Sequence, residues 1–373
     1  LRTLIFSISA GDGHKKTSLA IKNHILLNNR TSEVLIVDAL KYISPLLDKL
    51  IIGSYLKSIK INPKIYKKIY EIIDNSTSKV SFLKKDSIID KLFALKLKKL
   101  IYDFEPDVIL ATHPIPTKIL STLKLICGLN IPVVSIITDY ACHSFWIHKG
   151  IDAYITPTNC IVDDIVKRGI NSNIVYNLGI PVNPDFLHKY DRASTLETLS
   201  LFPNKFTVLI MGGSLGLGKI TDIYIELNKI LTDIQIIIIT GKNQKLYSNL
   251  IKLAPSFSKE TRILQYTKEI NKYMQACDLL LTKPGGITIT EAMISSIPLV
   301  LFSPIPGQEE KNVDFLTKNS LAIHLEDIKN CSDTLVDLIN YPTTLNKIKQ
   351  NYYKYINPNS GKDIYNLLCN LSN

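Results

Sequence analysis

The stretch Lys283-Pro284-Gly285-Gly286-Ile287-Thr288-Ile289-Thr290-Glu291 follows the apolar run 278–281 and precedes a second one, 299–302, which leads into Pro306-Gly307-Gln308-Glu309. A glycine pair between a strand and a helix leaves first-turn N–H groups uncovered, and such groups bind anions, a diphosphate among them. Taken alone, the pair closes a tight turn and Glu291 is a solvated helix residue. Two further strand-end loops change the balance: Gly212-Gly213-Ser214-Leu215-Gly216-Leu217-Gly218 and Gly241-Lys242-Asn243. Glycine permits positive φ and close backbone approach, while Lys242 and Lys283 bring charge beside phosphate oxygens. Glu291 can accept two ribose hydroxyls. Together these loops describe a nucleotide-diphosphate site without a Walker sequence. No Asp-x-Asp occurs, so no carboxylate-held cation is expected, and backbone dipoles with lysines must stabilise a leaving diphosphate.

The N-terminal half supplies a base. His14 closes Ser9-Ala10-Gly11-Asp12-Gly13-His14 at a helix start, where the positive end of the helix dipole favours a neutral imidazole. That state suits deprotonation of a hydroxyl nucleophile; a capping or solvent-exposed histidine is the plainer alternative. His113, His143 and His148 also lie at strand ends, and Asp139 is a further acid. His143 and His148 could pair on a metal, but no third ligand has recognisable spacing, so none is expected. Phe145 and Trp146 suit packing or an apolar wall for an acceptor. The loop lacks the full G-x-G-x-x-G, which weakens a nicotinamide-cofactor reading.

The elements that position these residues alternate. Short apolar runs at 4–8, 34–38, 106–114, 132–140, 153–157 and 174–181 each read as a strand, and most end in His, Asp or Thr. The polar stretch 184–203 is the best linker. Runs at 206–211, 234–240, 261–266, 278–281 and 299–302 form a second series. Buried apolar strands alternating with helices imply two parallel sheets covered on both faces, expected to face one another across a cleft. Ligands then sit at the C-terminal rims.

At 373 residues the chain suggests two domains. No apolar run reaches the roughly 18 to 20 residues of a membrane span. Cys127, Cys142, Cys160, Cys277, Cys331 and Cys369 lack C-x-x-C spacing, which points to reduced thiols rather than a disulfide framework. Within a net charge of +11, residues 41–100 carry 14 lysines, no arginine and 5 acidic residues. Their lysines interleave with Ile, Leu, Tyr and Phe, a pattern suited to an anionic membrane surface. Nucleic acid is the rival partner, but no nucleic-acid motif accompanies the charge.

The ordered motifs Ser9–His14, 138–148, Gly179-Ile180-Pro181-Val182, Gly241-Lys242-Asn243, 283–292 and 306–309 resemble those of processive diacylglycerol β-glucosyltransferases. The monogalactosyldiacylglycerol synthases are similar, and the peptidoglycan glycosyltransferase MurG is more distant. The resemblance covers about residues 4–325. It implies a GT-B fold: an acceptor- and membrane-binding Rossmann-like domain over 1–185, a UDP-sugar-binding one over 186–343, and a helical segment, 344–373, returning to the first. It also implies inverting, metal-independent transfer of a hexose, with no cofactor, at the cytoplasmic face of a membrane. Carried onto this sequence, His14 deprotonates the diacylglycerol hydroxyl, with Asp139 as partner or alternative base. Gly213, Ser214, Lys242, Lys283, Gly285, Gly286 and Thr288 hold the diphosphate, Glu291 the ribose, Gln308 and Glu309 the sugar, and Tyr266 marks the loop that reads uracil. Gly13, His143 and Trp146 line the acceptor side, and Lys57, Lys60, Lys67, Lys68, Lys84 and Lys85 meet lipid. Glucose is the expected sugar; UDP-galactose, or N-acetylglucosamine transfer to a polyprenyl-linked acceptor, are the alternatives. A nucleotide-sugar sensor without catalysis is a different class, and retention of His14, Asp139 and Glu291 argues against it. Ala10 and Asp12 stand where many relatives carry further glycines, and the loop at 211–216 also varies among them.

Overall fold

The computed structural model describes residues 1–9, 12–46 and 88–372. Lys57, Lys60, Lys67, Lys68, Lys84 and Lys85, with Ala10 and Gly11 of the first glycine loop, lie outside the described residues. The chain divides into two compact units: Leu1–Pro184 with Ile305–Gln308 and Asn357–Asn373, and Asp185–Pro304 with Glu309–Ile356.

The first unit is built on β1 (Arg2–Ser7), β2 (Glu33–Asp38), β3 (Val108–Ala111), β4 (Val133–Ile136), β5 (Ala153–Thr156) and β6 (Val175–Asn177). They form one parallel six-stranded sheet in the order β2-β1-β3-β4-β5-β6. Alternate side chains supply two cores, as a sheet covered on both faces requires. On one face Leu4, Phe6, Ile109 and Val133 pack with Leu97 and Ile101 of a helix at Ile88–Phe104 and Leu120 of a helix at Pro114–Cys127. On the other, Ile5, Leu110, Val134 and Ile155 pack with Ile21 and Ile25 of α1 (Gly13–Asn28) and Ile364 and Leu368 of the C-terminal helix Ser360–Ser372. Each fully buried isoleucine or leucine contributes about 1.5–3 kcal/mol. The C-terminal helix seats on α1 so closely that a Cβ at Gly361 would lie 2.1 Å from the His24 ring. The same helix start is tied down by Asn357 Nδ2 donating to Leu178 O and Ser360 Oγ to Gly179 O.

The second unit carries β7 (Phe206–Met211), β8 (Ile234–Ile239), β9 (Thr261–Leu264), β10 (Leu279–Thr282), β11 (Leu299–Leu301) and β12 (Ala322–His324). They too form a parallel six-stranded sheet, in the order β12-β11-β10-β7-β8-β9. Gln235, buried in the isoleucine run of β8, is satisfied by Phe202 N–H, Phe202 O and Thr207 Oγ1, as a buried amide must be. The expected linker at 184–203 contains a helix, Arg192–Thr198, capped by Asp191. Arg192 ties that helix to Asp278 at 2.9 Å and to three backbone carbonyls. The segment 344–373 divides: the helix Pro342–Tyr352 lies in the second unit and Ser360–Ser372 in the first. Strand β12 has no counterpart in the sequence reading, since it is three residues long and only partly buried, too short for a periodic signal.

Both sheets reverse direction beside their first strand. In the first unit the order turns between β1 and β3, in the second between β7 and β10. At such a switch point the two strand-end loops run to opposite sides and open a crevice.

Candidate functional sites at the two switch points

In the first unit the loops after β1 and β3 bring His14 and His113 together. The register pairs Phe6 with Ala111, and Thr112 N–H donates to Phe6 O at 3.1 Å, so Thr112 stands beside the start of α1. His14 Nδ1 lies 2.6 Å from the Thr112 carbonyl and 3.2 Å from Thr138 Oγ1. A carbonyl only accepts, so the ring proton is on Nδ1 and the lone pair on Nε2. Burial pushes the His14 pKa down to about 4, and the Thr112 hydrogen bond opposes that shift. The imidazole is therefore neutral near pH 7, the state a general base needs. Thr112 is itself pinned, its hydroxyl meeting Ser7 Oγ at 3.1 Å and Ser18 Oγ at 3.0 Å.

His113 heads the helix at 114–127, with Pro114 next to it in the first turn and Gly128 in the left-handed conformation ending it. Its Nδ1 accepts from Ile115 N–H at 3.1 Å. The His113 ring meets that of His14 with centroids 4.6 Å apart and planes at 74°. Burial, then the proximity of His14, holds its pKa well below the ordinary value.

Asp139 is buried, and its Oδ2 accepts from Gln308 Nε2 at 2.6 Å. The Nδ1 proton of His14, which a carboxylate partner would take, goes instead to the Thr112 carbonyl and the Thr138 hydroxyl. His143 Nδ1 accepts from Phe145 N–H at 3.2 Å, and His148 Nε2 donates to Phe145 O at 2.8 Å. Among the described residues no cluster of three metal-ligating side chains occurs. Trp146 is buried in the sheet core, a packing position.

In the second unit the loops after β7 and β10 carry the residues expected to bind an anion. The glycines separate by role. A Cβ at Gly216 would stand 2.2 Å from Thr240 O and one at Gly241 2.3 Å from Ser214 O; these two let the loops after β7 and β8 lock, with Lys242 N–H donating to Ser214 O at 2.8 Å. Gly213, at φ +68°, and Gly285 have no atom within 4 Å of a Cβ, so open space lies over both. Gly285 precedes the helix Gly286–Ile294 and offers no side-chain cap, leaving the first-turn N–H groups to a ligand. Lys283 is 9% exposed, and its Nζ lies 3.1 Å from Glu309 Oε2. Asn312, fully buried, fixes the same loop by donating to Pro284 O at 2.9 Å. Glu291 is 3% exposed, which removes the solvated-surface reading, and Thr288 is buried beside it in the same helix. Tyr266 is half exposed with the Lys242 ammonium 5.5 Å from its ring centre.

The sequence did not single out Thr112, Thr138 or Asn312 for these roles. The threonines are quoted in strand-end runs, but only the sheet register brings them to His14.

Two parallel Rossmann-like sheets with loaded switch points define the architecture of GT-B glycosyltransferases. MurG from Acinetobacter baumannii superimposes with a TM-score of 0.60 at 13% identity, covering 99% of both chains. In sequence, the profile of the monogalactosyldiacylglycerol (MGDG) synthases matches residues 14–182 and that of the glycosyltransferase family 28 C-terminal domain residues 207–362. A processive diacylglycerol beta-glucosyltransferase of Staphylococcus epidermidis is 30% identical over 349 residues, 92% of this chain and 86% of that one. Its counterpart in Bacillus subtilis (strain 168) is 27% identical over 359 residues, 94% and 90% of the two chains. The chain belongs to glycosyltransferase family 28, alongside the MGDG synthases and the diacylglycerol glucosyltransferases. It is a hexosyltransferase of the UDP-sugar-dependent class.

Proposed function

We propose that the enzyme transfers glucose from UDP-glucose to the hydroxyl of 1,2-diacylglycerol, with inversion and without a metal, and can add further sugars to its product. The carrying observation is the fixed tautomer of His14, whose neutral Nε2 lone pair is directed by the Thr112 carbonyl on the opposite nitrogen. The first unit takes the acceptor and the second the donor. In the second, the first-turn N–H groups after Gly285, with Lys283 and Lys242, hold the diphosphate. Glu291 holds the ribose and the loop at Tyr266 the uracil, while Glu309, with Gln308 of the first unit, holds the sugar. His14 Nε2 accepts the acceptor's proton, and the oxygen attacks the anomeric carbon opposite UDP. Asp139 is the alternative base. The diphosphate charge that grows as UDP leaves is met by backbone dipoles and lysines.

The enzyme works at an anionic lipid surface. No helix among the described residues is long and apolar enough to cross a membrane. The helix at 88–104 exposes Leu92, Leu95 and Tyr102 among Lys91, Lys96 and Lys99, a mixture suited to peripheral binding. A radiolabelled-sugar assay on diacylglycerol vesicles tests the reading with UDP-glucose, UDP-galactose and UDP-N-acetylglucosamine in turn, the last also with a polyprenyl-linked acceptor. Transfer from UDP-glucose to diacylglycerol is expected; transfer only from UDP-galactose would make the enzyme a galactolipid synthase, the reading favoured by the profile matched over 14–182.

A further inference from the structure

His14 and His113 each keep one ring nitrogen without a hydrogen-bond partner among the described residues, and the two nitrogens are complementary. His14 donates from Nδ1 to Thr112 O, which leaves a lone pair on Nε2. His113 accepts on Nδ1 from Ile115 N–H, which places its proton on Nε2. The rings touch edge to face with centroids 4.6 Å apart. One imidazole thus offers an acceptor and its neighbour a donor, and a hydroxyl is a group that is both.

We propose that His113 holds the oxygen of the acceptor hydroxyl through its Nε2–H while His14 Nε2 takes the proton of that same hydroxyl. The inference rests on the reading of His14 as the base. In the step, the acceptor O–H bond breaks and its proton passes to His14 Nε2. The oxygen forms a bond to the anomeric carbon, and the bond from that carbon to the diphosphate breaks, its electron pair leaving with UDP. His113 remains neutral throughout, because a proton on Nδ1 would eliminate the acceptor that caps its helix. Its N–H points at an oxygen whose negative charge grows toward the transition state, where a fixed donor is most effective.

Capping alone does not account for an imidazole here. Serine, threonine, asparagine and aspartate are the preferred N-caps, and each would satisfy Ile115 N–H. Histidine adds a second nitrogen beyond the cap.

That distinction sets the test. His113→Ser and His113→Asn are made in the full chain, with His14→Ala alongside, and assayed with UDP-glucose and diacylglycerol vesicles. Both replacements at 113 preserve the cap, while serine lacks a donor at the reach of Nε2 and asparagine retains an amide N–H. The expected result is a fall of about 10²–10³-fold in kcat/KM for diacylglycerol in His113→Ser, of the size found when one transition-state donor is removed. The asparagine variant loses less. KM for UDP-glucose and the melting temperature stay at wild-type values in both. Wild-type kcat/KM in the serine variant would reduce His113 to a cap and overturn the proposal. Undiminished transfer by His14→Ala would defeat the base assignment instead, so the two failures are distinguishable.

Discussion

Both sheets turn beside their first strand, although one strand lies beyond β1 and two beyond β7, and on the proposed reading the two turns meet different chemical problems. At the β7/β10 switch point the proposed working groups are backbone N–H groups, two glycines that leave space, and a lysine held by a glutamate. At β1/β3 they are imidazoles whose protons are assigned by neighbouring carbonyl and N–H groups. A diphosphate has fixed charge at neutral pH, so fixed dipoles bind it without any proton moving. A hydroxyl must lose its proton during the reaction, which calls for a side chain with a lone pair at working pH. On the proposed reading, one rim holds charge and the other moves a proton.

The sharpest way to separate the rims is His14→Ala. Turnover should fall by roughly 10²–10⁴-fold, the usual worth of a general base, while UDP affinity measured by calorimetry is unchanged. Loss of UDP binding would mean the division of labour is wrong. Lys283→Ala should do the converse. It removes the ammonium beside the partly buried Glu309, so it should lower stability and weaken UDP binding; thermal unfolding and calorimetry on one sample read both effects.

The glycines give a smaller and more discriminating contrast. Gly216→Ala forces a Cβ against Thr240 O at 2.2 Å with φ at +54° and should cost about 1–3 kcal/mol. Gly285→Ala meets no neighbour at an ordinary φ of −76°, so stability should hold while UDP affinity drops. Equal melting temperatures for the two variants would contradict the division into packing glycines and ligand-facing ones.

Acid should affect the first rim. His14 is depressed to about 4 by burial, so kcat/KM should stay level as pH falls through 6.5 and decline only as it approaches 4. The unfolded chain binds this proton from about 6.5 downward while the folded one resists it. The stability linked to His14 is therefore complete above 6.5 and drains away between 6.5 and 4. A kinetic limb at 6.5 would show a solvated histidine. The smallest effect is expected at the lipid surface: vesicle binding should weaken with added salt and with Leu92→Ser and Leu95→Ser, and binding indifferent to salt would leave only apolar insertion.

Much of the fold was legible because parallel, doubly covered strands must be apolar throughout. The runs at 206–211 and 234–239 needed no tertiary information to be recognised as strands, whereas β12 has three residues and one buried position, and Arg192–Thr198 sits in what reads as a polar linker. The loop expected to bind phosphate was legible for a related reason: Lys283, Gly285 and Gly286 are neighbours in sequence. Glu291 and Lys283 were named, but that both are buried, and that Glu309 is the lysine's partner, came only from packing.

By itself the sequence determined two α/β series, the glycine loops that end their strands, and the histidine at the head of the first helix, because periodicity, chain reversal and helix capping are local. Which glycines face open space, which nitrogen of His14 carries its proton, and that His113 lies against it were decided only by tertiary structure. The glycine roles depend on loops that meet after β7 and β8, and the histidine pair on groups about a hundred residues apart, brought together where β1 and β3 run side by side.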